Sequence, residues 1–232
     1  MPLTLFRPRN GHDLMFGRIV PAVAFAMLGC VDARRLASAI DRLGPHPSAS
    51  SVLAGPVSLG IYCVFVCIPV LIYIARPPSR TRDGTLAPRM LAFTGTTMLL
   101  IFGAFFGGGP SLVHIPLWAH HLDTVLLIAA ESFAVWGLLH LRASFSLVPQ
   151  ARRLVRSGPY RLVRHPLYFG EIASAVCLLF QQGLAVWSTL MVGLFVAVQY
   201  GRSHYEERLL RRVFPTYIDY VAHTPRLIPF FG

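Results

Sequence analysis

The stretch Ser157–Glu171 reads SGPYRLVRHPLYFGE and joins a cationic loop to an apolar segment. Proline is well tolerated in the first turn of a helix, because its missing N–H has no intrahelical partner there. Pro166 and the apolar residues after it therefore predict a helix over about 167–180, and a second apolar run covers residues 184–200. Both runs are short for a perpendicular membrane span of about 20 residues, so we expect a tilted or partly re-entrant helical hairpin.

The chain as a whole is too apolar for a soluble domain. Of its 232 residues 54% are hydrophobic and 13% are charged, and the mean hydropathy is +0.57, whereas about a quarter of the residues of a soluble domain are charged. The predicted fold class is all-α: a polytopic membrane protein with about six membrane helices, the last two forming the short hairpin. The first apolar run is short for a span, which leaves a signal sequence as its alternative. The four runs before the hairpin cover residues 19–31, 52–75, 90–106 and 122–141.

The distribution of positive charge predicts the topology. All 21 basic residues are arginine, and the net charge is +11. Placing both termini and the loops 76–89 and 142–164 in the cytoplasm puts 18 arginines inside and leaves Arg34, Arg35 and Arg42 outside, as the positive-inside rule requires. We therefore expect a multi-pass protein of the cell's inner membrane with both termini cytoplasmic. Arginines confined to loops between apolar runs do not indicate a nucleic-acid partner.

No metal site or disulfide framework is expected. His114, His120 and His121 precede the fourth apolar run, but no cysteine or carboxylate nearby completes a known ligand spacing. Cysteine inside an apolar run behaves as a small buried hydrophobe. All four cysteines lie in such runs: Cys30, Cys63, Cys67 and Cys177.

A second polar motif, His204-Tyr205-Glu206-Glu207, follows the hairpin and returns to the membrane face on which the hairpin begins. The positive-inside rule explains arginines at this membrane face. It does not explain a Gly-Pro-Tyr turn, a histidine at a helix start or a Glu-Glu pair. Ordinary surface ion pairs remain the alternative, because Arg202 and Glu206, and likewise Glu207 and Arg211, are four residues apart.

Taken together, these motifs resemble the isoprenylcysteine carboxyl methyltransferase family, in a broader group with the phospholipid N-methyltransferases. The residues that carry the resemblance are Gly158-Pro159-Tyr160, Arg164-His165-Pro166-Leu167-Tyr168, Glu206-Glu207, Phe214, Tyr217 and Tyr220. The resemblance covers about 142–229 and implies a membrane enzyme that holds S-adenosylmethionine on the cytoplasmic side. It divides the chain into N-terminal membrane helices, 1–141, and a methyltransferase-like cofactor-binding hairpin with a C-terminal amphipathic segment, 142–232.

The resemblance also assigns roles. Arginine or histidine can clamp the cofactor carboxylate, a glutamate can accept from its ammonium or ribose hydroxyls, and aromatic rings suit its sulfonium. The predicted cofactor-binding residues are Tyr160, Arg161, His165, Tyr168, Tyr205, Glu206 and Glu207. The predicted catalytic residues are Arg164 or Arg202, positioning an anionic acceptor, and Glu207, which with Glu206 and His165 is available to take a proton from an amine or thiol. The expected acceptor is a lipid-like or small amphiphile, with methylation of a carboxylate favoured.

Two other functions stay open at this point. Membrane sterol and steroid reductases carry a similar Arg-His-Pro-x-Tyr hairpin and bind a reduced nicotinamide, but typically with asparagine where this chain has Leu167. A non-enzymatic transporter or assembly factor would use Glu131, an ionisable residue inside the fourth apolar run, where charge is costly.

Overall fold

The protein is almost entirely helical in its described parts. The computed structural model describes residues 19–75, 81–82, 90–91, 94–96, 98, 112–145, 150–151, 154–181 and 183–228. The helices are α1 (Val20–Asp41), α2 (Ala49–Ala75), α3 (Leu117–Leu141), α4 (Pro166–Gln181), α5 (Val186–Val213) and α6 (Tyr217–His223). A two-residue antiparallel pair joins β1 (Thr81–Arg82) to β2 (Gln150–Ala151). The all-α class is confirmed.

Within the described ranges, two helices, α2 and α3, are long and apolar enough to cross a membrane, and α4 is a shorter apolar helix. Their outer surfaces carry large apolar side chains: Leu71 is 69% exposed and Leu117 is 71% exposed. Such surfaces require cover, and lipid provides it. These helices and their apolar surfaces indicate a membrane protein, while six spans and cytoplasmic termini stay predictions.

Helix α2 contains an irregular turn near its start. Residues Leu53–Val57 form a π-helical segment that contains Pro56, a residue that lacks the N–H needed for a regular helical bond. Ser58 follows this segment and donates from Oγ to Glu131 Oε2 on α3 at 3.1 Å. The two helices are thus joined by a buried polar contact.

Helices α3 and α4 pack closely because small residues line their interface. A Cβ on Gly170 would lie 2.7 Å from the Cβ of Ala134 and 2.8 Å from the carbonyl oxygen of Ala130. Gly137 also lies against Pro166, but a Cβ there would be 3.5 Å from the Cβ of the proline, which is ordinary van der Waals contact. This packing fixes the first residues of α4 against the end of α3, where the site described below begins.

Two apolar clusters hold the rest of the described bundle together. In one, Tyr73 of α2 contacts Phe25 of α1 at 6.1 Å between ring centroids and Phe145 at 6.0 Å. In the other, Met98 packs with the buried residues of α4 and α5, among them Phe195. The clusters connect both halves of the chain.

Three boundaries differ from the predicted ones. Helix α1 continues to Asp41 and contains Arg34 and Arg35, which were expected in a linker, because alanine, leucine and arginine around them favour helix. Helix α3 begins at Leu117 and includes His120 and His121, which were expected in a loop. Helix α5 extends to Val213 rather than ending near residue 200.

The predicted third span, 90–106, lies largely outside the described residues. Its described members, 90–91, 94–96 and 98, are helical. The N-terminal arginines of residues 1–18, used in the topology prediction, also lie outside the described part.

Candidate functional site

The first wall of the site is the Gly-Pro-Tyr turn, a 3-10 helix over Gly158–Arg161. Gly158 has φ +61°, and a Cβ there would clash with the imidazole of His140. Only glycine combines that backbone conformation with that proximity. The turn buries Tyr160, whose carbonyl accepts a hydrogen bond from the Tyr220 hydroxyl of α6.

Glu207 of α5 is the point at which three segments meet. Its side chain is 2% exposed, and its Oε1 accepts from Arg164 Nε at 2.9 Å. Arg226 binds the carboxylate with both ends of its guanidinium, at 3.1 Å to Oε1 and 2.9 Å to Oε2. His165 Nε2 lies 3.3 Å from Oε1, and the exposed Arg211 lies 3.7 Å from Oε2. The Glu207 carboxylate is therefore surrounded by cationic or donor groups.

These neighbours determine the charge of Glu207. Burial alone would raise the pKa of its carboxyl group, but the hydrogen bonds from His165 and Arg226, with the charge of Arg164, hold the pKa well below the ordinary value of 4.5. A carboxylate with several charge-assisted hydrogen bonds stays ionised. Glu207 is thus a fixed negative charge at any neutral pH.

The C-terminal segment closes over the start of α4. The Arg164 N–H donates to the Pro225 carbonyl at 2.8 Å, and the His165 N–H donates to the Arg226 carbonyl at 3.1 Å. The Arg164 guanidinium also donates from Nη1 to the Val221 carbonyl at 3.1 Å. Residues 221–226 therefore form a backbone-bonded strap across the Arg-His-Pro motif.

Glu206, the neighbour of Glu207, is partly open. Its side chain is 32% exposed, its Oε2 accepts from the Tyr168 hydroxyl at 3.1 Å, and His165 Nδ1 lies 3.6 Å from the same oxygen. His165 and Tyr168 stack with 5.4 Å between ring centroids. One oxygen of Glu206 is thus used by the protein, and its partial exposure leaves the carboxylate accessible.

Arg202 is held in place by neighbours on several sides. It is 7% exposed, its Nη1 donates to Gln199 Oε1 at 2.8 Å, and its guanidinium carbon lies 4.8 Å from the centroid of the Tyr168 ring. A Cβ on Gly95 would lie 2.9 Å from the Arg202 side chain. The Tyr168 ring therefore already receives a protein cation.

The motifs surround one cavity of about 60 Å³. Ligand pockets for small molecules commonly measure about 300 to 1,000 Å³, so a cofactor-sized ligand requires the rim side chains to move apart. Six predicted residues line the cavity: Tyr160, Arg164, His165, Tyr168, Arg202 and Glu206. The other polar lining residues are Ser144, Tyr217 and Tyr220, and the apolar lining residues are Leu141, Phe145, Leu154, Val155, Leu167 and Leu210.

Three predicted site residues lie elsewhere. Arg161 is exposed outside the cavity lining. Tyr205 is half-buried with its ring facing Arg208, 6.0 Å away. Glu207 is not among the cavity-lining residues, and it is hydrogen-bonded to Arg164 and His165, which are.

Sequence reasoning missed Arg226, which binds Glu207 with two hydrogen bonds. No spacing rule connects those positions, because their contact depends on the turn that follows α5. Tyr217 and Tyr220 were part of the resemblance but were given no role.

The remaining candidates lie apart from the cavity lining. Glu131 is 8% exposed and is engaged by Ser58. His114 and His121 are exposed, and His120 is half-buried. Across the described ranges, no group of three or more His, Cys, Asp or Glu residues is arranged to hold a metal ion.

Residues 123–212 match the sequence profile of the isoprenylcysteine carboxyl methyltransferase (ICMT) family. This match confirms the resemblance found from the motifs, and it indicates a membrane methyltransferase. It includes the start of α4, both glutamates and all of the hairpin.

A second similarity is to the cobalt-zinc-cadmium resistance protein CzcN of Cupriavidus metallidurans, which is 37% identical over 78 residues. That alignment covers 33% of this chain and 35% of CzcN. The chain thus matches about a third of the length of this curated relative.

Proposed function

We propose that the protein is an S-adenosylmethionine-dependent methyltransferase that acts on a lipid-like or small amphiphilic acceptor, with a carboxylate as the favoured target. The site faces the cytoplasm from the inner membrane. The observation that carries the proposal is the meeting of Arg164, His165 and Tyr168 with Glu206 around one cavity, within the part of the chain that matches the methyltransferase family.

The donor set of the cavity fits the cofactor. Glu206 is a partly exposed carboxylate, so it suits the ammonium group or the ribose hydroxyls of the cofactor. His165 lies beside Glu206 and is placed to bind the carboxylate of the cofactor. The Tyr168 ring is already in contact with Arg202, so Tyr160 is the better candidate for the sulfonium. These residues would hold a ligand with separate anionic and cationic groups.

The bound cofactor would supply an electrophilic methyl group, so the residues need only align the acceptor and exclude water. Arg202 is buried and held by Gln199, which makes it suitable for directing an anionic head group. The apolar wall, including Phe145 and Leu210, suits the acceptor's apolar part and keeps water out. A carboxylate acceptor needs no general base.

Glu207 has a different role in this proposal. Its oxygens accept hydrogen bonds from three residues, Arg164, His165 and Arg226. They therefore have little remaining capacity to bind a ligand. Its contacts support a positioning role, in which it orients Arg164 and His165, rather than the proton-accepting role expected from the sequence.

The test is calorimetric titration of the detergent-solubilised protein with S-adenosylhomocysteine, the demethylated product that keeps the same polar groups. Charge-assisted hydrogen bonds contribute about 1.5–3 kcal/mol, so we expect Glu206→Gln to weaken binding by about 10- to 150-fold. Asp219→Asn, at an exposed acid of α6, is the matched control and should bind like the wild type. Absence of binding by the wild type, or binding of a reduced nicotinamide instead, would overturn the proposal.

The acceptor is then identified by incubating membranes with a labelled methyl donor. Methyl esters release labelled methanol in mild alkali, whereas N-methyl and S-methyl products keep the label. A label that survives alkali would refute the preference for a carboxylate while leaving methyl transfer intact.

The name of the CzcN relative motivates one physiological proposal, that methylation by this protein contributes to metal tolerance through a membrane component. Growth of a deletion strain complemented with wild type or Glu206→Gln, in graded cobalt, zinc and cadmium, measures it. Equal tolerance with both genes would contradict this proposal.

A further inference from the structure

Tyr217 begins α6 and lies deep in the wall of the cavity. It is 1% exposed, its backbone N–H donates to the Phe214 carbonyl at 2.9 Å, and its ring meets that of Tyr220 edge-on at 5.8 Å. The position of the ring is thus fixed by the turn that follows α5 and by its aromatic neighbour.

The hydroxyl of Tyr217 is buried and has no hydrogen-bond partner among the residues that the structure describes. The hydroxyls of two other tyrosines that line the cavity have partners: the Tyr168 hydroxyl donates to Glu206, and the Tyr220 hydroxyl donates to the Tyr160 carbonyl. Leaving a buried hydroxyl unsatisfied costs about 1–3 kcal/mol, and such groups in native proteins commonly have a functional explanation.

The surroundings of the Tyr217 hydroxyl point to a polar ligand. Tyr217 lines the same cavity as His165, Arg164 and Glu206. Burial, with the negative charges of Glu207 and Glu206, raises the pKa of the phenol well above its ordinary value of 10.0, so the group remains an O–H donor. A neutral donor beside bound polar groups can pair with a ligand oxygen without adding charge.

We propose that the Tyr217 hydroxyl is a binding group for the cofactor and donates a hydrogen bond to one of its oxygens, a carboxylate or a ribose hydroxyl. The inference rests on the proposed function. The cofactor is preferred to the acceptor as the partner because Tyr217 lines the cavity together with His165 and Glu206, the residues proposed above to hold the polar groups of the cofactor.

The test compares two isosteric changes, Tyr217→Phe and Tyr220→Phe, each by thermal melting without ligand and by affinity for S-adenosylhomocysteine. Tyr217→Phe removes an unsatisfied group, so the ligand-free melting temperature should be unchanged or higher. Affinity should fall by about 2- to 150-fold, the range expected for one hydrogen bond to a neutral or charged oxygen. Tyr220→Phe removes a hydrogen bond made within the protein and should lower the ligand-free melting temperature.

The outcomes separate this inference from the function on which it rests. If the wild type binds S-adenosylhomocysteine and Tyr217→Phe binds it equally well, the inference is wrong and the proposed function stands. If Tyr217→Phe melts lower without ligand, as Tyr220→Phe should, the hydroxyl has a structural partner and the inference is again overturned. If the wild type itself fails to bind, the proposed function falls first.

Discussion

Replacing Glu207 with glutamine should destabilise the protein strongly, although the two side chains have nearly the same shape. Glutamine removes the negative charge and replaces one acceptor oxygen with an NH₂ donor. Arg164 would keep its positive charge in a setting where its side chain is 9% exposed, and Arg226 would lose one of its two bonds. Removing one partner of a buried ion pair costs about 3–5 kcal/mol, because the remaining charge is left uncompensated.

The lower end of this range applies here. Arg226 and Arg211 are 22% and 50% exposed, so water compensates for much of what they lose. We therefore expect about 3 kcal/mol. For a chain of this length each kcal/mol corresponds to roughly 2–4 °C in melting temperature, which gives a decrease of roughly 6–12 °C.

The assay is thermal melting in detergent without ligand, with Glu206→Gln as the matched control. Glu206 is 32% exposed and has one hydrogen bond, from Tyr168, so its loss should cost about 1 kcal/mol or less. Equal melting temperatures for the two variants would show that the ion pairs of Glu207 do not stabilise the fold more than the contacts of Glu206 do.

Three further predictions follow from the same geometry. Because the folded-state pKa of Glu207 is lowered, its stabilisation should be fully present above about pH 4.5 and be lost as the pH falls from there through the folded pKa. Melting curves between pH 3 and 7 should show the onset of this loss below about pH 4.5 in the wild type and a weaker decline in Glu207→Gln. Gly158→Ala should lower the melting temperature by several degrees, since φ is +61° and His140 blocks the new methyl group; an unchanged temperature would contradict this. Gly170→Ala should also destabilise through overpacking against α3, whereas Gly60→Ala, which meets nothing within 4 Å, should be neutral or stabilising in the same assay.

The helical class and the hairpin were predictable because continuous apolar runs and a first-turn proline are local signals. The extension of α5 was not, because Arg202 and the residues after it end the apolar run without ending the helix. Arginine, glutamate and leucine are good helix formers, so hydropathy and helix propensity disagree at this point. Propensity determines the helix, which reaches Val213.

The same extension explains why the predicted site was only partly right in composition. Neighbours on a helix point about 100° apart, because a turn contains 3.6 residues. A helix that presents Glu206 to the cavity therefore directs Tyr205 towards Arg208 and Glu207 towards Arg164. A list of motif residues cannot separate these roles until the motif is known to be helical.

The strap formed by residues 221–226 gives the protein an order of assembly. Arg164 and His165 immediately precede α4, but their backbone partners, Pro225 and Arg226, are made about 60 residues later. Every apolar helix of the described bundle precedes the strap in the chain, so membrane insertion can finish before the Arg-His-Pro motif has its final neighbours. A chain stopped before Thr224 would keep every residue that lines the cavity, but the backbone N–H groups of Arg164 and His165 and the carboxylate of Glu207 would lack their C-terminal partners.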